Sequence, residues 1–194
     1  MMRIEPVLAR LADGARLHEQ LGELAPLIGR AAQMCVEAVR AGGKIVFFGN
    51  GGSASDAQHL ACEMVVKYRF ERPSIPAVAL TTDTSILTAA SNDLGFEQVF
   101  VRQIQALARR GDVAVAISTS GASRNVLAAV EAARRIGCGV VVLTGEGGRG
   151  LADSADVGLV VPSRETDLIQ ECHITLGHVI CQLVESELYG EKRA

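Results

Sequence analysis

No stretch of this 194-residue sequence reaches the roughly 18 consecutive apolar residues of a membrane span. Its start, Met1-Met-Arg-Ile-Glu-Pro6, lacks the uninterrupted apolar core of a signal peptide. A cytoplasmic protein with no membrane partner is expected. Long basic runs are also missing, and the net charge of −3 argues against nucleic acid as a partner. The five cysteines (Cys35, Cys62, Cys138, Cys172, Cys181) are odd in number and form no C-x-x-C pair. Neither a disulfide framework nor a thiolate zinc site is indicated, and buried free thiols are expected. The serine-rich loop Ser118–Ser123 is neither a Walker loop nor a G-x-G-x-x-G fingerprint, and no nucleotide or redox cofactor is expected. What is present is 48% hydrophobic content, enough for one globular domain with a sizeable core spanning residues 1–194.

The organisation is helical, then alternating. Ile4, Val7, Leu8 and Leu11 mark one apolar helical stripe, and Leu24, Leu27, Ile28, Ala31 and Cys35 a second that stops at Gly42-Gly43. Two helices within 1–41 therefore precede an α/β unit over 42–194. Five short apolar runs follow: Lys44–Phe48, Ala77–Leu80, Val113–Ile117, Val140–Leu143 and Val157–Val161. They lack strict alternation, which suits strands buried on both faces. Helical patterns between them, such as Ser123–Ile136, imply right-handed parallel crossovers. The expected architecture is a three-layer α/β/α sandwich with a five-stranded parallel sheet and a last helix from about Thr166 to Leu188.

Each strand ends in a polar loop: Gly49–Ser53, Thr81–Ser85, Ser118–Ser123, Thr144–Gly148 and Pro162–Thr166. In open parallel sheets ligands bind beyond the carboxyl ends of the strands, where these loops gather. Ile117-Ser-Thr-Ser-Gly-Ala-Ser123 offers four hydroxyls and the backbone N–H groups of a helix start, suited to a monophosphate. Helix capping is the competing use of those serines.

His59 and Glu63 lie four residues apart on one face of a helix that follows a strand (Ile45–Phe48) and a glycine turn (Gly49–Ser53). On the last helix, Gln170 and His178 interrupt a largely apolar pattern, about 80° apart around the axis and about 12 Å along it. The four together make a two-His, one-carboxylate, one-amide set acceptable to zinc or another divalent metal, although Gln170 reaches a shared ion only when extended or in a distorted first turn. His18 is expected to be solvated. His173, about 140° from His178, is expected to be a structural hydrogen-bonder.

Asn50-Gly-Gly-Ser53, Asp56-Ala-Gln-His59-x-x-x-Glu63, Arg72-Pro73, Asn92-Asp93, Gly111-Asp112, Ile117-Ser-Thr-Ser-Gly121 and Ile169-Gln-Glu-x-His173 followed by His178 resemble the phosphoheptose isomerase family over nearly the whole chain. The resemblance implies the sugar isomerase (SIS) fold and a homotetramer with active sites shared between subunits. It also implies conversion of sedoheptulose 7-phosphate to D-glycero-D-manno-heptose 7-phosphate, feeding bacterial surface-polysaccharide heptose synthesis. By the same resemblance Asn50, Gly51, Gly52, Ser53, Asn92 and Asp93 contact the sugar, and Ser118, Thr119, Ser120 and Ser123 hold the phosphate. Asp167 matches an acidic active-site position. His59, Glu63, Gln170 and His178 match a set holding one zinc ion per subunit, in which Glu63 and Gln170 also touch substrate and Glu63 and His178 form the acid/base pair. Lys67 departs from the family, many members of which carry Arg there; a lysine does not reproduce a planar bidentate contact. Two alternatives share the fold: a non-catalytic SIS protein that binds the replication initiator, and an SIS isomerase or regulator for another sugar phosphate. Binding relatives lack acid/base residues such as Glu63 and His178.

Overall fold

The computed structural model describes residues 3–190. Five strands form one parallel sheet: β1 (Ile45–Gly49), β2 (Ala77–Ala79), β3 (Val113–Ser118), β4 (Gly139–Gly145) and β5 (Val157–Val161), in the order β2-β1-β3-β4-β5. Each is rich in Val, Ile or Ala, and β1 and β3 are buried along their whole length, as strands covered on both faces must be. Ile45, Phe47, Val113, Val115, Val141 and Leu143 point to one side, with α2 (Ala25–Arg40), α3 (Gly52–Val65) and α8 (Thr166–Tyr189). Val46, Phe48, Ala114, Ala116, Val140 and Val142 point to the other, with α4 (Thr84–Leu94), α5 (Val99–Leu107), α6 (Arg124–Ile136) and α7 (Arg149–Asp153). The three-layer sandwich read from the sequence is the observed fold. The strand order reverses between β1 and β3, which opens a crevice beyond their carboxyl ends.

At the opposite end of the sheet, Asp112 is buried and accepts hydrogen bonds from Lys44 N (2.9 Å), Lys44 Nζ (2.6 Å) and Arg109 N (2.8 Å). This pins β1 beside β3 at their starts, so that both deliver their loops to the crevice at the same level. The Gly137 C-cap, at φ +93°, closes α6 in a left-handed turn that favours glycine.

Several expectations need correction. The first stripe is helical as read, in α1 (Glu5–Gln20) with Ile4 as its N-cap; Ile4, Val7, Leu8 and Leu11 are each more than half exposed, and Gly14 and Leu17 carry the buried contact. Cys62 is exposed, while the other four thiols are buried and free. His18 is anchored rather than solvated, with Nδ1 2.8 Å from Gly14 O and Nε2 3.1 Å from Thr175 Oγ1.

His173 is fully buried on α8, yet among the described residues neither ring nitrogen has a hydrogen-bond partner, so it is not the hydrogen-bonder its spacing suggested. Burial pushes its pKa down to about 4; the nearby Thr144 backbone opposes this without reaching hydrogen-bond geometry. An unfolded histidine titrates near 6.5, so between these values the unfolded chain binds the extra proton. His173 therefore destabilises the fold as pH falls through that window, by about 3 kcal/mol once both states are charged. Chemical denaturation at pH 7 and pH 4.5 tests this. His173→Leu is expected to lose markedly less stability than the parent between the two; equal losses would contradict the assignment.

Candidate active site

The turn after β1 needs its glycines. A Cβ at Gly49 would meet Ile117 O at 2.6 Å, and Gly51 has φ +55°. The turn releases the chain into α3 with Ser53 buried in its first turn. Across the crevice, the segment after β3 packs on the turn after β4: Gly145 N donates to Thr119 O (3.0 Å), and a side chain on Gly121 (φ +64°) would collide with the Gly148 backbone. Ser118 and Ser120 hydroxyls accept from Gly121 N and Ala122 N, both at 3.2 Å, shaping the loop from within. Ser123 is the N-cap of α6 but makes no side-chain capping bond, which leaves its hydroxyl free beside the helix-start N–H groups.

The two loops are joined by a residue the sequence reading missed. Asn50 and Asn125 exchange reciprocal amide hydrogen bonds, each 2.8 Å, and Asn125 is buried. The only hint in the sequence was its place two residues after the serine-rich loop.

On α3 and α8, His59 stands beside both Glu63 and His178. His59 Nε2 lies 2.8 Å from His178 Nε2 and 3.5 Å from Glu63 Oε1, and the two rings meet edge-on at 5.0 Å. Burial lowers the pKa of His178, neighbouring His59 lowers it further, and Glu63 acts in the opposite direction. The balance favours the uncharged form of His178. Tyr68 lies beside it, ring centroids 5.5 Å apart. Three residues before His59, Asp56 buries Oδ2 without a partner; burial raises its pKa to about 6 against an opposing pull from His59.

The remaining residues are placed differently. The Gln170 amide rests against Gly52, where a Cβ would lie 2.7 Å from Gln170 Cδ; among the described residues it makes no hydrogen bond to the histidine pair. Asp167, at the start of α8, is exposed and paired with Arg10 at 2.9 Å. Desolvation is the largest single influence and works against its ionisation, but the Leu168 and Asp167 N–H groups and Arg10 together outweigh it and hold its carboxyl below the usual range. Asn92 and Asp93 lie exposed in the last turn of α4, hydrogen-bonded to each other at 2.7 Å. Lys67 is exposed next to Tyr68.

The donor set can be tested against a metal. Among the described residues no three His, Cys, Asp or Glu side chains form a metal-holding group as placed. The 2.8 Å between the imidazole nitrogens is a hydrogen-bond distance, closer than two ligands stand around one ion. The residue types fit nonetheless: two imidazoles and a carboxylate, with His59 next to both of the others, are donors that divalent transition metals accept.

The SIS domain family is matched over residues 11–145. The phosphoheptose isomerase of Geobacter sp. strain M21 is 54% identical over 187 residues, 96% of this chain and 97% of that one. That of Akkermansia muciniphila is 51% identical over 170 residues, 88% and 90% of the two chains. Among solved structures, the phosphoheptose isomerase GmhA of Neisseria gonorrhoeae superposes with a TM-score of 0.87 at 45% identity, covering 94% of this chain and 98% of that one. The phosphoheptose isomerase of Francisella tularensis gives 0.91 at 34% identity, covering 96% and 100%. Near-complete coverage in both directions, at about half identity in sequence and with a common fold, places this chain in the phosphoheptose isomerase family of SIS-domain proteins.

Proposed function

We propose that this chain is an intramolecular oxidoreductase that converts sedoheptulose 7-phosphate to D-glycero-D-manno-heptose 7-phosphate in the cytoplasm, the first step of bacterial surface-polysaccharide heptose synthesis. The observation that carries this reading is that His59 stands next to both Glu63 and His178, bringing a carboxylate and an imidazole to one side of the crevice. Aldose–ketose isomerisation moves a proton between the carbonyl carbon and its neighbour through an enediol, and a carboxylate with an imidazole can carry both transfers. The phosphate rests on the hydroxyls of Ser118, Thr119, Ser120 and Ser123 and the first N–H groups of α6, where the helix dipole favours an anion. Asn50, Gly51, Gly52, Ser53 and Gln170 line the sugar side of the crevice. Asn92, Asp93 and Asp167 are assigned to substrate through subunit sharing.

Zinc, one ion per subunit, is the proposed cofactor, held by His59, Glu63 and His178 with Gln170 as the fourth donor. Bound there, it supplies Lewis-acid polarisation of the substrate oxygens. Homotetramer assembly is supported by the exposed apolar stripe of α1, which has no partner within the described residues. No helix among those residues is long and apolar enough to cross a membrane.

Three measurements test this reading. Glu63→Gln and His178→Asn are each expected to lower kcat by about 10²–10⁴-fold while the protein stays folded, the range typical of positioned acid/base groups. Parent-like turnover in both would remove the assignment. Elemental analysis of protein purified without chelator or a metal-affinity tag is expected to find about one zinc per chain, falling in His59→Ala; a metal-free, fully active protein would eliminate the ion. Sedimentation is expected to give a tetramer that Leu8→Glu together with Leu11→Glu dissociates, whereas a parent monomer would contradict shared sites.

A further inference from the structure

Arg72 and Glu185 form an ion pair withdrawn from solvent, their side chains 2% and 1% exposed, with Nε 3.1 Å from Oε1. None of the roles above uses it. Burying two charges is unfavourable unless further hydrogen bonds satisfy them, and here those bonds go to the Glu63 backbone and the loop that follows it. Glu185 Oε1 also accepts from Tyr68 N (2.8 Å), and Oε2 from Arg69 N (2.8 Å). Arg72 Nη2 donates to the Glu63 carbonyl oxygen (2.8 Å), one of the end-of-helix acceptors that α3 cannot satisfy itself, and Nη1 donates to Pro73 O (3.1 Å). Glu185 stands seven residues after His178, two turns along the same face of α8. One ion pair therefore fixes the backbone of Glu63, the loop that follows it, and the helix bearing His178. With the loop so held, the Tyr68 ring packs at 32° to the His178 imidazole.

We propose that Arg72 and Glu185 are positioning residues for the isomerisation: Arg72 sets the backbone of Glu63, and Glu185 sets the backbone of Tyr68 so that its ring braces the His178 imidazole. The proposal rests on Glu63 and His178 as the acid/base pair. It goes beyond holding the fold together, because apolar residues of similar volume would fill the same space without desolvating two charges, yet could not direct the Glu63 carbonyl or the Tyr68 and Arg69 N–H groups.

That difference gives the test. Four variants are compared with the parent for kcat, KM and thermal midpoint: Arg72→Met, Glu185→Leu, the double Arg72→Met/Glu185→Leu, and Tyr68→Leu. Each single change leaves a charge or its hydrogen-bonding partners buried and unpaired, and is expected to lower the midpoint. The double change is expected to restore the midpoint while kcat stays about 10–100-fold down and KM moves less than threefold, the signature of misplaced catalytic groups. Tyr68→Leu leaves the ion pair intact and is expected to lower kcat with the midpoint unchanged. Recovery of kcat together with the midpoint in the double variant, or parent-like kcat in Tyr68→Leu, would overturn the proposal. Glu63→Gln is assayed alongside. Parent-like turnover there would overturn the acid/base reading and the positioning role with it, whereas an inactive Glu63→Gln beside a fully active Tyr68→Leu would overturn the positioning role alone.

Discussion

Where α8 crosses α3, Gly177 has no side chain, and the Leu60 methyl carbons lie 2.5 Å from where a Cβ would be. Any larger residue would wedge the helices apart, since the displaced atoms belong to a buried leucine packed into the core. Leu60 follows His59 and Gly177 precedes His178, so this approach of the two helices is also what brings the two imidazole nitrogens within 2.8 Å. The helices run in matching register. Gln170 meets Gly52 near the start of each, His178 meets His59 about two turns on, and Glu185 accepts from the loop just beyond the end of α3. A second glycine contact of the same kind, Gly121 on Gly148, sets the other wall of the crevice. Two close approaches, each possible only with glycine, thus define the space between the acid/base pair and the hydroxyl loop.

Within that space the charges are sorted by environment. The α6 N-terminus and the serine hydroxyls present donors to an anion. The His59–Glu63–His178 group is partly buried, and burial favours the uncharged form of His178. The Asn50–Asn125 pair, neutral and reciprocal, joins the two walls without adding charge to either. Cationic side chains are kept outward or locked: Arg10 is paired with Asp167, and Arg72 is buried with Glu185.

Much of this was legible in the sequence. The five strands were read within one or two residues because runs such as Val113–Ile117 are apolar on both faces, and the i, i+4 spacing of His59 and Glu63 correctly put them on one face. The 80° and 12 Å separation of Gln170 from His178 anticipated what is observed, with Gln170 against the glycine turn and His178 at His59. What was not legible depends on contacts between segments distant in sequence. Glu185 looked like an ordinary polar residue near a helix end, and only the fold shows it 1% exposed under the 68–72 loop. His18 looked solvated because its partner, Thr175, is 157 residues away. What covers the α1 stripe was not legible either, because periodicity reports amphipathicity, not what covers it.

The central claim is that proton transfer at this site interconverts a ketose and an aldose phosphate. Its most direct test is magnetic resonance of sedoheptulose 7-phosphate incubated with the purified protein in deuterated water. The account predicts aldose phosphate bearing deuterium at C2, because the proton carried by a side chain exchanges with solvent during the enediol's lifetime. Aldose formed with no deuterium would point to direct hydride transfer, and neither product nor exchange with zinc supplied would contradict the account altogether.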